Sequence, residues 1–263
     1  MMEIIGYLLS IFIGITLGLI GAGGSILTVP VLVYLFHVHP TLATSYSLFI
    51  VGFTSLIGSL IKTKEKCIDY QAVGYFGLSS VIVVLVVRKI LLIHIPEVII
   101  AMDHFQLTKS ALTMIAFALL MLGSSWSMIT NKQNQMTSLH LIKHQVIKMI
   151  VCGIGIGLVT GFLGAGGGFL IIPALVVLLD MPIKKAIGTS LMIITINSLI
   201  GFLGDMDHVS IDWIFLLKLL SVTIFGLFIG NYLQKKIAAD LLKPLFGWFV
   251  LLMGIYILIK ELF

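Results

Sequence analysis

Long apolar runs separated by short polar gaps extend along the whole chain. A helix needs about 20 apolar residues to cross a bilayer core, so most runs predict transmembrane helices. The second and seventh runs hold only about 13 residues, and we expect half-helices or partly inserted hairpin arms there. The runs lie near residues 4–21, 25–37, 41–61, 70–93, 109–130, 146–164, 168–180, 184–204, 212–234 and 241–261.

The start of the chain has a second interpretation, a cleaved signal peptide. Met1, Met2 and Glu3 supply no basic n-region, and the apolar stretch that follows is long. We therefore expect the first run to be a membrane span.

Composition supports a membrane protein and excludes a soluble globule. Of the 263 residues, 59% are hydrophobic and only 10% are charged, against about 25% charged in soluble domains. The net charge of +5 comes from scattered basic residues that form no stripe with aromatics, so no nucleic-acid partner is expected. Two cysteines, Cys67 and Cys152, do not make a disulfide framework.

An internal duplication appears when the chain is shifted by 143 residues against itself. Residues 14–58 align with residues 157–201 without a gap, and about 19 of the 45 positions are identical, far above chance. We predict a first transmembrane repeat over 1–130, a cytoplasmic linker over 131–145 and a second repeat over 146–263.

The charges in the polar gaps predict that the two repeats have opposite orientations. Counting alternate gaps places most lysines on one side, which the positive-inside rule makes cytoplasmic, and both termini outside. That set is Lys62, Lys64, Lys66, Lys132, Lys143, Lys148, Lys184, Lys185, Lys235, Lys236 and Lys243. The opposite side holds only Arg88, Lys89, Lys109 and Lys260, with Lys218 inside a span. The predicted fold is therefore an all-α polytopic membrane protein with two inverted repeats of about five segments each, the pattern of secondary transporters.

Two glycine-rich breaks interrupt the apolar runs at matching positions of the two repeats. Unpaired backbone groups are costly in lipid, so each break is expected to line a cavity. The short helix after each break would direct its free N–H groups at the occupant, which favours an anion. Sharp bends between packed helices are the alternative. Glycines at every fourth position instead predict close helix packing; these are Gly14 and Gly18, and Gly153, Gly157 and Gly161.

Hydroxyl and amide side chains at membrane depth complete the predicted anion site, since neutral donors can bind an anion without burying a lysine. Bonding within their own helices is the alternative for any one of them. The predicted binding set is Gly21, Ala22, Gly23, Gly24, Ser25, Ser47, Gly164, Ala165, Gly166, Gly167, Gly168, Thr189, Ser190 and Asn197.

These motifs resemble the TauE/SafE family of sulfite exporters. The resemblance rests on the duplicated glycine-rich motif with Pro30 and Pro173, the run Ala-Ile-Gly-Thr-Ser-Leu at 186–191 and the Ile-Asp-Trp start at 211. It covers nearly the whole chain and implies a secondary transporter for sulfite, organosulfonates or similar sulfur-containing anions. The first repeat departs from the pattern where Ser25 replaces Gly168.

Other charged residues carry structural interpretations. Asp69 and Asp212 precede Tyr70 and Trp213 and are expected to cap helices at the interface. Lys218, Arg88 and Lys89 can either snorkel to the interface or attract substrate. No metal site and no cofactor are predicted.

We therefore predict a transporter in the cell membrane that works by alternating access between the glycine turns, with a proton or another ion as a possible coupling partner. An anion channel is the first alternative and a membrane-embedded enzyme the second, although no catalytic motif lies in the spans. The lipid bilayer and a small anion are the expected partners, and the oligomeric state stays open.

Overall fold

The computed structural model describes most of the chain. The described residues are 2–21, 24–91, 98–102, 105–108, 114–115, 118–119, 121–123, 125–126, 129, 142–163, 168–179, 181–206, 211–236 and 239–262. They form apolar helices and one short hairpin, which confirms the predicted helical, polytopic architecture.

The described part of the first half begins with four helices and the hairpin. Described residues between 114 and 129 are also helical. The elements are α1 (Met2–Ile20), α2 (Ser25–Tyr34), α3 (Pro40–Lys64), α4 (residues 70–91, with π-helical turns at Val73–Gly77 and Val87–Leu91), β1 (Val98–Met102) and β2 (Phe105–Thr108).

The second half contains five helices within the described ranges. They are α5 (Ile142–Leu163), α6 (Gly168–Pro173, continued by a π-helical turn at Ala174–Leu178), α7 (Ile183–Asp205), α8 (Trp213–Gln234) and α9 (Ala239–Leu262). The second and seventh segments are short, as predicted, because α2 has 10 residues and α6 has 6 before its π-helical turn.

The antiparallel hairpin of β1 and β2 was not predicted. It lies in the gap between the fourth and fifth apolar runs, where the hydropathy pattern predicts no element. The two strands are 5 and 4 residues long, and pairing over so few residues depends on contacts that hydropathy does not contain.

Among the residues that the structure describes, four helices are long and apolar enough to cross a membrane. They are α3, α4 from Tyr70 to Ile90, α7 and α8. Within α3 and α7, 72% of the span-sized window is buried, against 39% in α4 and 33% in α8. The centre of the molecule is therefore the pair α3 and α7, with the other spans around it.

Both predicted aspartate caps are present. The Asp69 carboxylate accepts hydrogen bonds from the N–H groups of Gln71 and Ala72 at the start of α4. The Asp212 carboxylate accepts one from the N–H of Phe215 at the start of α8. The caps satisfy N–H groups that have no partner within the helix and fix where the two spans begin.

Glycines spaced by four residues pack α1 against α8, as predicted. A Cβ atom on Gly14 would lie 2.0 Å from the Thr223 carbonyl oxygen, and one on Gly226 would lie 3.1 Å from the Gly14 Cα. Gly18 faces Gly230 one turn further along both helices. The two backbones are therefore in direct contact, an approach that only glycine permits.

The equivalent helices α5 and α4 pack in the same manner. A Cβ atom on Gly157 would lie 2.6 Å from the Ser80 carbonyl oxygen and 3.0 Å from the Val83 Cβ. The shift of 143 residues relates Gly157 and Val83 to Gly14 and Gly226. Both pairs are in contact, so each repeat supplies one helix to each of two matching interfaces.

The central helices α3 and α7 run antiparallel. A Cβ atom on Gly58 would lie 3.2 Å from Leu191, and one on Gly201 would lie 3.2 Å from Leu48. Residue numbers therefore rise along one helix as they fall along the other. Leu48 and Leu191 are equivalent in the duplication, as are Gly58 and Gly201. The contact of Leu191 with Gly58 therefore becomes the contact of Leu48 with Gly201 when the two repeats are exchanged.

Candidate functional site

The first glycine turn lies against the central helix of the other repeat. Gly21 has a φ of +84°, and a Cβ atom there would lie 2.6 Å from Ile187 Cγ2 and 2.9 Å from the Ile187 carbonyl oxygen. Only glycine tolerates both the conformation and the approach. The turn therefore sits one helical turn before Ser190 on α7.

The described part of this turn is also packed tightly against α1. A Cβ atom on Gly24 would lie 2.2 Å from the Ile13 carbonyl oxygen. Ser25, the first residue of α2, is fully buried, and the Thr28 hydroxyl donates to the Gly24 carbonyl at 3.3 Å. At Gly24, therefore, the close contact is with protein backbone, which matches the alternative of a bend between packed helices.

Six predicted site residues lie outside the described residues: Ala22, Gly23, Gly164, Ala165, Gly166 and Gly167. In the second turn, only Gly168 is described, as the buried first residue of α6. Within the described ranges, no three His, Cys, Asp or Glu side chains lie together as a set that could hold a metal ion.

The two predicted hydroxyls at the start of α7 have protein partners. The Ser190 hydroxyl donates to the Ile187 carbonyl at 2.9 Å. The Thr189 hydroxyl accepts the backbone N–H of Asp69 at 2.9 Å, and the equivalent Tyr46 hydroxyl accepts that of Asp212 at 2.8 Å. These two bonds join the start of a peripheral span to the central helix of the other repeat.

Unpartnered polar atoms lie along the two central helices, α3 and α7. Ser47, Ser55, Asn197 and Ser198 are fully buried, and the three serine hydroxyls and the Asn197 Nδ2 have no hydrogen-bond partner among the described residues. The Asn197 Oδ1 accepts the Ser80 hydroxyl at 2.9 Å, which orients the amide. Buried polar groups are normally paired, so these helices present donors that the described protein does not use.

The position of these groups follows from the helix contacts. Gly52 of α3 faces Leu199 of α7, and Gly58 faces Leu191. Ser55 lies between the two glycines, and its equivalent Ser198 lies between the two leucines. The donors of the two repeats therefore occupy the same short stretch of the central interface.

A polar cluster occupies the end of α3 that carries Lys62. The buried Lys62 ammonium donates to Glu65 at 2.7 Å and to the Gln234 side chain at 2.6 Å, and Lys235 lies 3.5 Å from Glu65. Burial alone raises the pKa of Glu65, but the hydrogen bond and charge of Lys62, followed by Lys235, outweigh burial and hold that pKa below its ordinary value. Two of the lysines that the sequence predicts on one side, Lys62 and Lys235, thus meet at this end.

An ion pair occupies the opposite end of the same central interface. The Arg88 guanidinium, in the second π-helical turn of α4, donates through Nη1 to Asp205 Oδ2 at the end of α7. The Ser45 hydroxyl of α3 donates to the same oxygen. Asp205 is the equivalent of Lys62 under the 143-residue shift, so equivalent positions carry opposite charges at the two ends.

Comparison with known proteins decides the family. The profile of the sulfite exporter TauE/SafE family matches residues 7–257. The chain belongs to this family. A probable membrane transporter protein of Xylella fastidiosa (strain 9a5c) is 30% identical over 254 residues, which cover 94% of this chain and 91% of that protein. The probable membrane transporter protein YunE of Bacillus subtilis (strain 168) is 27% identical over 278 residues, 97% of each chain.

No solved structure matches the chain. The family and the relatives confirm the resemblance drawn from the glycine motifs and identify this TauE/SafE chain as a multi-pass membrane transporter. Its binding residues stay a prediction.

Two features of this TauE/SafE transporter lie outside the predicted binding set. Ser55 and Ser198 belong to the hydroxyl side chains predicted at membrane depth, and their identity in the two repeats could have placed them in that set. The repeat gives no indication of the ion pair between Arg88 and Asp205. The two residues are 117 positions apart, and the equivalent of Arg88 in the second repeat is the uncharged Asn231.

Proposed function

We propose that this TauE/SafE chain is a secondary transporter that carries a small sulfur-containing oxyanion, such as sulfite or an organosulfonate, across the cell membrane. The substrate class follows from the family name together with the chemistry of the central interface. Transport proceeds by alternating access around a site between the two repeats.

The observation that carries the proposal is the set of unused donors on the two packed central helices, α3 and α7. Ser47, Ser55 and Ser198 each hold a buried hydroxyl, and Asn197 holds a buried amide, without a described partner. Sulfur oxyanions offer several acceptor oxygens, so neutral O–H and N–H groups match them. Such donors also avoid the cost of a free lysine inside the bilayer.

The glycine turn supports a site shared by both repeats. Gly21 contacts Ile187, so the turn that precedes α2 lies beside the first half of α7, near Ser190. The N-terminus of α2 carries the positive end of a helix dipole, which favours an anion nearby. A substrate between the turn and these donors would therefore contact both halves of the protein.

The exchanged contacts support inverted repeats and hence alternating access. Equivalent helices α3 and α7 run antiparallel, with Leu48 on Gly201 and Leu191 on Gly58. A twofold axis that exchanges two antiparallel helices lies across their length, which for transmembrane helices means in the membrane plane. Repeats related in this way can rock about a central site and open it to each side in turn.

Orientation in the membrane can be tested with single cysteines. With both termini proposed to lie outside, position 64 faces the cytoplasm and position 207 faces outward. A membrane-impermeant maleimide should therefore react with Lys64→Cys only from the cytoplasmic side and with Asp207→Cys only from outside. Both variants require replacement of the two native cysteines, Cys67 and Cys152, by serine. Labelling of positions 64 and 207 from the same side would contradict the proposed inversion.

Transport itself is tested with the purified protein in proteoliposomes. Uptake of radiolabelled sulfite, thiosulfate and a short organosulfonate is measured with and without an imposed pH gradient. Saturable uptake of one of these anions is the expected result, and dependence on the gradient would identify a proton as the coupling ion. Empty liposomes give the background, and flux of none of the three anions above this background would refute the proposed substrate class.

A further inference from the structure

The buried guanidinium of Arg88 has donors that its ion pair does not use. The Arg88 side chain is 2% exposed, and its Nη1 group donates to Asp205. Its Nε and Nη2 groups have no hydrogen-bond partner among the described residues. A buried charge with open donors is costly, because both the charge and the N–H groups have lost their water.

The two open donors belong to one edge of the guanidinium. Nη1 lies on the side of Cδ, so Nε and Nη2 point their N–H groups together along the opposite edge. This edge is the fork with which arginine binds two oxygens of a carboxylate or of a tetrahedral oxyanion. The described protein therefore bonds one part of the guanidinium, and no described residue bonds the two-pronged edge.

The surroundings hold this edge in place. Asp205 accepts from both Arg88 and the Ser45 hydroxyl, so α3, α4 and α7 all take part in positioning the guanidinium. A Cβ atom on Gly204 would lie 3.6 Å from the Arg88 Cβ, which shows how closely α4 and α7 approach there. Lys89, the next residue, is exposed, so the inward position is specific to Arg88.

We propose that Arg88 binds the transported oxyanion through its Nε and Nη2 groups at the end of the central interface opposite Lys62, while Asp205 holds the guanidinium. This site lies along the same α3 and α7 interface as the unused hydroxyls and adds a cationic group to the proposed pathway. It rests on the proposed function, since it assumes a sulfur-containing oxyanion as substrate.

The two members of the pair should then respond in opposite directions. Arg88→Gln removes the fork and should weaken sulfite binding about 10- to 100-fold, the range expected for a lost charged hydrogen bond. Arg88→Lys keeps the charge but lacks the fork and should also bind more weakly. Asp205→Asn keeps an amide oxygen that can accept from Arg88 and Ser45 and so still holds the guanidinium. It removes a negative charge close to the anion and should therefore tighten binding, by about tenfold.

The test is equilibrium binding of radiolabelled sulfite, with methanesulfonate as competitor, to the full-length protein purified in detergent. Lys89→Gln is the matched control, because it removes one positive charge at the neighbouring exposed position and should leave binding unchanged. Size-exclusion profiles and melting temperatures establish that each variant is folded. Weaker binding by both Arg88 variants and tighter binding by Asp205→Asn would support the site.

A structural ion pair gives a different result. In that case Arg88→Gln and Asp205→Asn both weaken binding, and the double variant, which leaves no unpaired charge, restores it. That pattern, or wild-type binding by Arg88→Gln, would overturn the site while leaving the proposed function intact. Failure of the wild-type protein to bind either anion would refute the proposed function and this site with it.

Discussion

Replacing Ser55 or Ser198 with alanine should stabilise the empty transporter and weaken transport. Both hydroxyls are fully buried without a described partner, and a buried polar group left unpaired costs about 1–3 kcal/mol. Alanine removes that cost and is also the better helix former. After allowing for the small space left by the lost oxygen, we expect a gain of about 1 kcal/mol, or roughly 2–4 °C in melting temperature.

Transport should change in the opposite direction. If each hydroxyl donates to the bound anion, its loss removes a hydrogen bond to a charged group worth about 1.5–3 kcal/mol. The KM for the anion should therefore rise about tenfold or more. A hydroxyl whose removal raises stability but weakens transport has a binding role. Removal of a purely structural hydroxyl would lower stability instead.

Ser59→Ala is the matched control for Ser55→Ala. Ser59 lies on the same helix and is equally buried, but its hydroxyl donates to the Leu56 carbonyl at 2.8 Å. Its replacement should leave transport unchanged and alter stability by less than about 0.5 kcal/mol. Melting temperature is measured without substrate, and initial uptake rate over a range of anion concentrations. Lower stability of Ser55→Ala together with wild-type KM would refute the reasoning.

Two further predictions concern packing and pH. Gly157→Ala should destabilise the protein by about 1–3 kcal/mol, because its Cβ would lie 2.6 Å from the Ser80 carbonyl oxygen. Gly155→Ala is the control and should be neutral or stabilising, because no atom lies within 4 Å of the added Cβ. Equal melting temperatures of the two variants would contradict this prediction. Glu65 has a lowered pKa in the folded protein, so its ionised carboxylate stabilises the folded state. This stabilisation is fully present above the ordinary pKa of 4.5 and is lost as the pH falls through the lower pKa of the folded state. Melting temperatures between pH 6 and pH 3 should show this loss, and Glu65→Gln should show less of it; identical pH profiles would contradict the assignment.

Much of the architecture was predictable from local patterns. Lipid requires every backbone group to be paired within a segment, so apolar runs of sufficient length must be helices, and α3, α4, α7 and α8 appear where the runs lie. Asp69 and Asp212 cap the helices they precede, because a side-chain oxygen next to free N–H groups acts over two or three residues only. The spaced glycines likewise predicted close packing without naming the partner helix.

The candidate site was predicted less completely, because burial and pairing depend on which helices meet. Equally polar residues have different surroundings: Ser190 donates to its own helix, while its equivalent Ser47 has no described partner. Thr189 accepts the N–H of a residue 120 positions away. No local pattern separates these cases, since the partner comes from a distant segment.

The sequence by itself determined that this protein is a duplicated, multi-pass helical membrane protein of the TauE/SafE family, because hydropathy, repetition and motifs are properties of the chain read in order. Only the tertiary structure decided that α3 and α7 pack together with unused hydroxyls and that Arg88 pairs with Asp205 across 117 positions. The physical reason is that lipid selects helices one segment at a time, whereas the cost of a buried polar group depends on every segment packed around it.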